Sequence, residues 1–188
     1  MTQEEIKSPI PKHITMEYGS DGLHLVYRWF NAGHIALAIF CFVWDGFLVF
    51  WYSVAFREGS PLVMLVFPLL HVAVGVALTY TALAGFYNKT VVTVGMGKLS
   101  IHHTPIPWPG NQTLDAADLK QLYSEEHIIR GKNGTRTVYR LNAVTQNDRK
   151  IKLISNMESP EEARFLERKV EEQLGIRDTP VEGEMARK

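Results

Sequence analysis

The stretch Cys41-Phe-Val-Trp-Asp-Gly-Phe-Leu-Val-Phe50 sets one carboxylate, Asp45, among side chains that belong in oil. Read outward from it, the surroundings stay apolar. From Asn31 to Phe56 Asp45 carries the only formal charge, and from Pro61 to Tyr87 there is none. A helix crosses a hydrocarbon core of ~30 Å with about 20 mainly apolar residues, and each run is longer than that. The averages conceal this: 188 residues, 46% hydrophobic, 20 basic and 20 acidic side chains describe an ordinary soluble domain. The charge is segregated before Phe30 and after Asn88, so the chain divides into polar flanks around a membrane helical hairpin at 29–87, with helices at 30–56 and 61–87.

The flanks agree. Trp29 and Phe30, Trp51 and Tyr52, and Phe86 and Tyr87 stand near the ends of the runs, where amphipathic rings lodge at headgroup level. Ser60-Pro61 is a helix start, a capping hydroxyl before a proline at the first helical position, and Pro68 predicts a kink. Lys12, Arg28, Lys89 and Lys98 lie outside the hairpin against Arg57 alone in its short connection, which puts both termini in the cytoplasm. No charged-then-apolar signal precedes the first run, so that helix is expected to be an uncleaved anchor. The only cysteine, Cys41, falls within it and leaves no disulfide framework. Asn88, Asn111 and Asn133 head Asn-x-Thr triplets and are expected to be turn residues.

A charge in mid-membrane costs several kcal/mol and faces a partner, not lipid. Counting outward from the Glu58 to Gly59 region, the depth of Asp45 corresponds to residues 71 to 73, which include His71. At 100° per residue His34, Ala38, Cys41, Asp45, Val49 and Tyr52 share one stripe of the first helix, and His71, Gly75, Leu78, Ala82 and Gly85 one stripe of the second. Small and polar residues on both stripes permit close approach and hydrogen bonding across a lipid-embedded interface, with His34 facing Ala82 and Gly85. The candidate site is therefore the intramembrane polar pair Asp45 and His71, with His34. Three roles stay open for it: a register-fixing contact, a proton-responsive site, and a contact with another membrane protein.

The flanks predict a small α+β soluble domain. Residues 1–28 hold the hairpin Ile14–Tyr18, Leu23–Tyr27. Residues 88–176 hold strands at Thr90–Val94, Leu99–Thr104, Leu119–Ile129, Arg136–Thr145 and Lys150–Ser155, with turns at Gly95–Lys98, Gly131–Gly134 and Gln146–Asp148. A capping box at Ser159-Pro-Glu-Glu162 opens a helix over 159–174 that Gly175 stops, with Ala163, Leu166, Val170 and Leu174 on its apolar face. The tail 177–188 lacks periodicity and is expected to be disordered. The loop Pro105-Ile-Pro-Trp-Pro-Gly110 follows a strand that returns toward the bilayer, so Trp108, between Pro107 and Pro109, either dips into the interface or caps the domain core.

This layout resembles the bacterial pleckstrin-homology-like (bPH) domain membrane proteins. The resemblance rests on the hairpin of helices, the strands with turns like Gly95-Met-Gly-Lys98, the segment Leu114-Asp-Ala-Ala-Asp-Leu119 leading into a long strand, and the closing helix. Phrases such as Arg28-Trp-Phe30, Asn88-Lys-Thr-Val-Val-Thr-Val94, Pro107-Trp-Pro-Gly110 and Ser159-Pro-Glu-Glu-Ala163 are also similar to those of uncharacterised bacterial membrane proteins. The likeness implies a PH-like β-barrel or sheet closed by the C-terminal helix, integral to the bacterial inner membrane, with no assigned reaction. Such a barrel has seven strands and this chain supplies five after the helices, so Ile14–Tyr27 would provide the other two. In architecture alone the chain is also similar to the photosystem I assembly proteins of thylakoids.

Little else carries chemistry. His102 and His103 are neighbours on a strand and so point to opposite faces, no His/Cys/Asp cluster has metal-ligand spacing, and Gly95-Met-Gly lacks the lysine and helix of a phosphate loop. No Gly-x-Ser-x-Gly elbow occurs. Balanced, interleaved charge after Asn88 argues against nucleic acid and against a strong anionic-lipid patch. The expectation is a non-enzyme without cofactor, whose partners are the lipid bilayer and another protein, with homo-oligomers a further option. It acts as a membrane-tethered interaction or scaffold module, as a proton- or small-solute-responsive protein built on Asp45, His71 and His34 in an oligomer, or as an assembly factor for a membrane complex.

Overall fold

In the computed structural model, residues 10–57, 61–131 and 134–177 are described, with 179, 181 and 183–185 of the tail. The expected Ser60 cap and the centre of the Gly131–Gly134 turn, Asn133 included, lie outside the described residues. The chain forms two compact units: Trp29–Asn88, and a second built from the segments on either side of it.

The second unit is an α+β domain with antiparallel sheets. Strands β1 (Ile14–Gly19) and β2 (Gly22–Arg28) form the first hairpin; β3 (Lys89–Gly95), β4 (Lys98–Thr104) and the short β5 (Gln112–Asp115) complete a five-stranded sheet in the order β1-β2-β3-β4-β5. Period-2 patterning sets the faces: Leu23, Leu25, Val92, Val94, Leu99 and Ile101 point inward and are fully buried. At one end of the sheet Gly22, at φ +136°, lies so close to the Val94 carbonyl that any side chain there would collide with it. At the other end the row Arg28↔Lys89↔Thr104 closes the ladders, so the two strands flanking Trp29–Asn88 are paired neighbours up to their last residues.

A three-stranded sheet follows, β6 (Leu119–Gly131), β7 (Gly134–Thr145) and β8 (Lys150–Met157). β8 pairs with β7 only between Tyr139 and Val144, so the far end of β6 and β7 continues as a two-stranded ribbon. Helices α1 (Ala32–Ala55), α2 (Val63–Val66) and α3 (Leu69–Tyr87) belong to the first unit, and in the second α4 (Pro160–Leu174) packs against β6, β7, β8 and β3. α4 begins where Ser159 accepts the Glu161 N–H at 3.1 Å with Pro160 behind it, and ends at Gly175 in the left-handed conformation. Ala163, Leu166 and Val170 are fully buried, and three glutamates, Glu162, Glu167 and Glu171, are buried as well. Glu162 hydrogen-bonds His13 at 2.9 Å, and Glu171 accepts the Leu122 N–H at 3.1 Å.

Two differences from the sequence reading stand out. Six strands follow the helices, not five, because Gln112–Asp115 pairs with β4 despite its shortness and polarity. The tail is not uniformly free: Thr179 donates twice to Gln121 Oε1, and Met185 N–H donates to the Ser124 carbonyl at 2.8 Å.

In the first unit, α1 and the segment Val63–Tyr87 are each long and apolar enough to cross a membrane. Asn31 caps α1: its side chain accepts the His34 N–H, and the His34 ring accepts the Asn31 N–H. The second segment breaks at Pro68, between α2 and α3, as a proline without an N–H requires.

Candidate functional site in the helical hairpin

The inward residues of α1 are Cys41, Leu48 and Ala55, and those opposite include Pro68, Gly75 and Ala82. Both sets repeat every seven residues, the spacing of helices that wind around each other with a left hand. This corrects one face assignment. A straight helix at 3.6 residues per turn carries Val49 onto the seam, whereas the 3.5 repeat keeps Leu48 there and leaves Val49 exposed.

The expected contact between Asp45 and His71 is not formed. Thr79 Oγ1 donates to Asp45 Oδ2 at 2.7 Å, and Asp45 Oδ1 lies against Gly75, where a built Cβ would stand only 2.7 Å from it. His71 instead stacks on Trp44, with centroids 5.8 Å apart, and touches the Phe67 ring at 5.6 Å. Its Nδ1 is buried without a hydrogen-bond partner. The cause is the tilt of helical side chains toward their own N-terminus. In antiparallel helices Asp45 leans toward the C-terminal half of α3 and Thr79 leans back to meet it, while His71 leans the other way, onto Phe67. His34 packs against Gly85, as the small-residue stripe implies, and so closely that a Cβ at Gly85 would overlap its ring.

Three further donors on α1 reach the seam, of which Tyr52 stands on the expected stripe and Trp44 and Trp51 do not. Trp44 Nε1 donates to the His71 carbonyl at 3.2 Å, Trp51 Nε1 to the Met64 carbonyl at 2.9 Å, and Tyr52 Oη to the Leu65 carbonyl at 3.1 Å. The Met64 carbonyl is the one that residue 68 would satisfy in an unbroken helix, and Pro68 cannot. Trp51 supplies the missing donor. Trp51 and Tyr52 therefore turn inward to the broken helix, and the signal that could have found this was Pro68 four residues after Met64. At the other end of the hairpin the Phe30 and Phe86 rings pair at 5.3 Å.

Outward, both helices present large apolar groups: Phe42 is 83% exposed and Leu70 72%, and only 11% of each apolar window is buried. The arrangement is a pair of helices with a polar, tightly packed seam and a greasy exterior.

In the α+β unit, Pro107 and Pro109 are exposed and Trp108 is half-buried. Their loop leaves β4 at Thr104, opposite Lys89, and Asn111 fastens its base by accepting the His103 N–H at 2.7 Å. Burial, and then the neighbouring His102, hold the His103 imidazole below its ordinary pKa; its Nδ1 shares a hydrogen bond with Thr90 at 3.0 Å. On the outer face of the sheet His24 bridges Asp21 at 2.7 Å and Thr93 at 3.2 Å, and that hydrogen bond holds the Asp21 carboxyl below the usual range. Among the described residues no group of three or more His, Cys, Asp or Glu is arranged to hold a metal ion. No family model and no curated protein matches the chain.

Proposed function

We propose that the chain is an integral membrane protein of the bacterial inner membrane in which the helical hairpin tethers a PH-like interaction module at the cytoplasmic face. The observation that carries this reading is the inside-out character of the hairpin. Large apolar side chains face outward, and the small and hydrogen-bonding ones face each other, which suits lipid as the surrounding solvent. The Asp45–Thr79 contact then acts as a register lock. Two antiparallel sheets with a C-terminal helix, one sheet split around the hairpin, support kinship in layout with the bPH-domain proteins. The lysines and arginines outside the hairpin support cytoplasmic termini. Trp108 belongs to this reading as an interfacial ring, because its loop starts at the sheet end from which the chain leaves for the helices.

The module acts by binding another protein. The test is alkaline carbonate extraction followed by crosslinking and pull-down from native membranes. The full chain stays in the membrane pellet and its crosslinked partner is still captured by the D45N/H71A double variant. Extraction into the supernatant defeats the tether, and loss of the partner in the double variant moves function into the seam. One observation favours a second reading, a proton-responsive seam: the orphaned Nδ1 of His71. Its signature is a proton-dependent activity of the full chain that H71A abolishes.

A further inference from the structure

The ribbon formed by the far ends of β6 and β7 runs past the last β8 pair and ends at the Gly131↔Gly134 pair. From Val138, still fully buried, to Gly134 it extends roughly 13 Å without a third strand. Its end is unusual for a solvated turn. Ile128 is 49% exposed and Ile129 42% exposed, with Arg130 next in sequence and Arg136 opposite Ile129 in the ladder. Alternation along the strands puts Ile128 with Arg130 on one face and Ile129 with Arg136 on the other. Each face therefore carries one isoleucine and one arginine, a pattern suited to end-on entry into a surface that is apolar beneath and anionic on top. No acid lies between Ile128 and Thr137. Arg130 has no acidic partner among the described residues, and Arg136 meets Glu158 at 3.1 Å on the exposed side.

The position of this ribbon within its own unit is equally specific. The Glu158 backbone hydrogen-bonds Tyr27, the Glu158 carboxylate meets Arg136 at 3.1 Å, and Tyr27 precedes Arg28, the last residue before the helices. The ribbon at the level of Ile129 and Arg136 thus belongs to the same end of the domain as Arg28, Lys89 and Thr104, where the chain departs for and returns from the hairpin.

We infer that the β6–β7 tip is a second membrane contact, in which Ile128 and Ile129 enter the interface and Arg130 and Arg136 bind anionic lipid headgroups of the bilayer that holds the helices. The inference rests on the membrane reading given above. A domain already tied to that bilayer by two adjacent strands meets it at high effective concentration, so a contact of two isoleucines and two arginines suffices where a free domain would need more. Its consequence is orientation: two helices alone leave the domain free to swing, and a third point fixes which face looks away from the lipid.

The test uses the full chain in nanodiscs of phosphatidylcholine with and without phosphatidylglycerol. A fluorophore is attached at Ile128→Cys or, as a control at the end of the five-stranded sheet away from Arg28 and Lys89, at Tyr18→Cys, and quenched by brominated lipid. Cys41 is buried, so the label goes to the introduced thiol. Quenching at 128 should exceed that at 18 at least twofold in the anionic discs and fall to the control level in neutral discs and in R130E. Slower hydrogen exchange of the 126–131 amides in anionic discs is a parallel readout that needs no substitution. Equal quenching at both positions, or quenching indifferent to phosphatidylglycerol and to R130E, overturns the inference. Protection found in native membranes but in neither disc overturns it in favour of a protein at the tip. A chain that does not enter nanodiscs at all removes the membrane reading itself, which separates the two failures.

Discussion

Thr79 shows how much one hydroxyl decides in an apolar seam. It gives Asp45 a donor across the seam, and interhelical bonds of this kind contribute about 0.6 to 2 kcal/mol where such a hairpin lies in a bilayer. Thr79→Val keeps the shape and removes the donor, so unfolding in detergent should show a loss of about 1 kcal/mol. Asp45→Asn, which still accepts, should lose less. If Thr79→Val were silent while His71→Ala abolished the hairpin, the pairing seen here would be wrong. A second residue-scale effect concerns His103. Its folded-state pKa is depressed below 6.5, so the unfolded chain takes up the proton more readily. The stability associated with neutral His103 is complete above that value and declines as pH falls from it toward the lower folded-state pKa. Melting curves of His103→Asn should show a shallower loss of stability on acidification than the unaltered chain, and identical slopes would discount the effect.

At the scale of elements, Pro68 and Trp51 form one unit although seventeen positions separate them in sequence. Trp51→Phe should cost about 1 kcal/mol of hairpin stability in the presence of Pro68. In a Pro68→Ala background, where an N–H returns to the Met64 carbonyl, the same change should cost markedly less, and a double-mutant cycle in detergent measures the difference. Additive costs would sever the link. The elements themselves were largely legible: uncharged length reveals both helices, period-2 alternation reveals the long strands, and Ser159-Pro160 and Gly175 bracket α4. What escaped depends on geometry that a linear pattern does not carry. Depth counting located the level of Asp45 but ignores the N-terminal lean of side chains, so it chose His71 over Thr79. A fixed 100° turn placed Val49 on the seam, where Leu48 is the buried residue and Val49 is exposed. The strand Gln112–Asp115 owes its conformation to pairing with β4 and has no apolar alternation of its own.

For the whole molecule, the pairing of β2 with β3 means that the α+β unit is continuous in space across a gap in sequence. Replacing Trp29–Asn88 by Asn-Gly should therefore leave an ordinary two-residue hairpin between Arg28 and Lys89. The shortened chain should be soluble and monomeric by size exclusion, with a cooperative thermal transition and the circular dichroism of a mixed fold. An aggregated or unfolded product would mean that the domain depends on the hairpin for its fold.

The same strand order governs how the chain is made. A ribosome releases β1 and β2 first, and a lone two-stranded hairpin is marginal in water. The open edge of β2 then waits while all of Trp29–Asn88 is synthesised, and only afterwards does β3 emerge to cover it. Completion of the five-stranded sheet thus waits on synthesis of the apolar helices: a chain stalled within them carries an unfinished sheet with an adhesive flank.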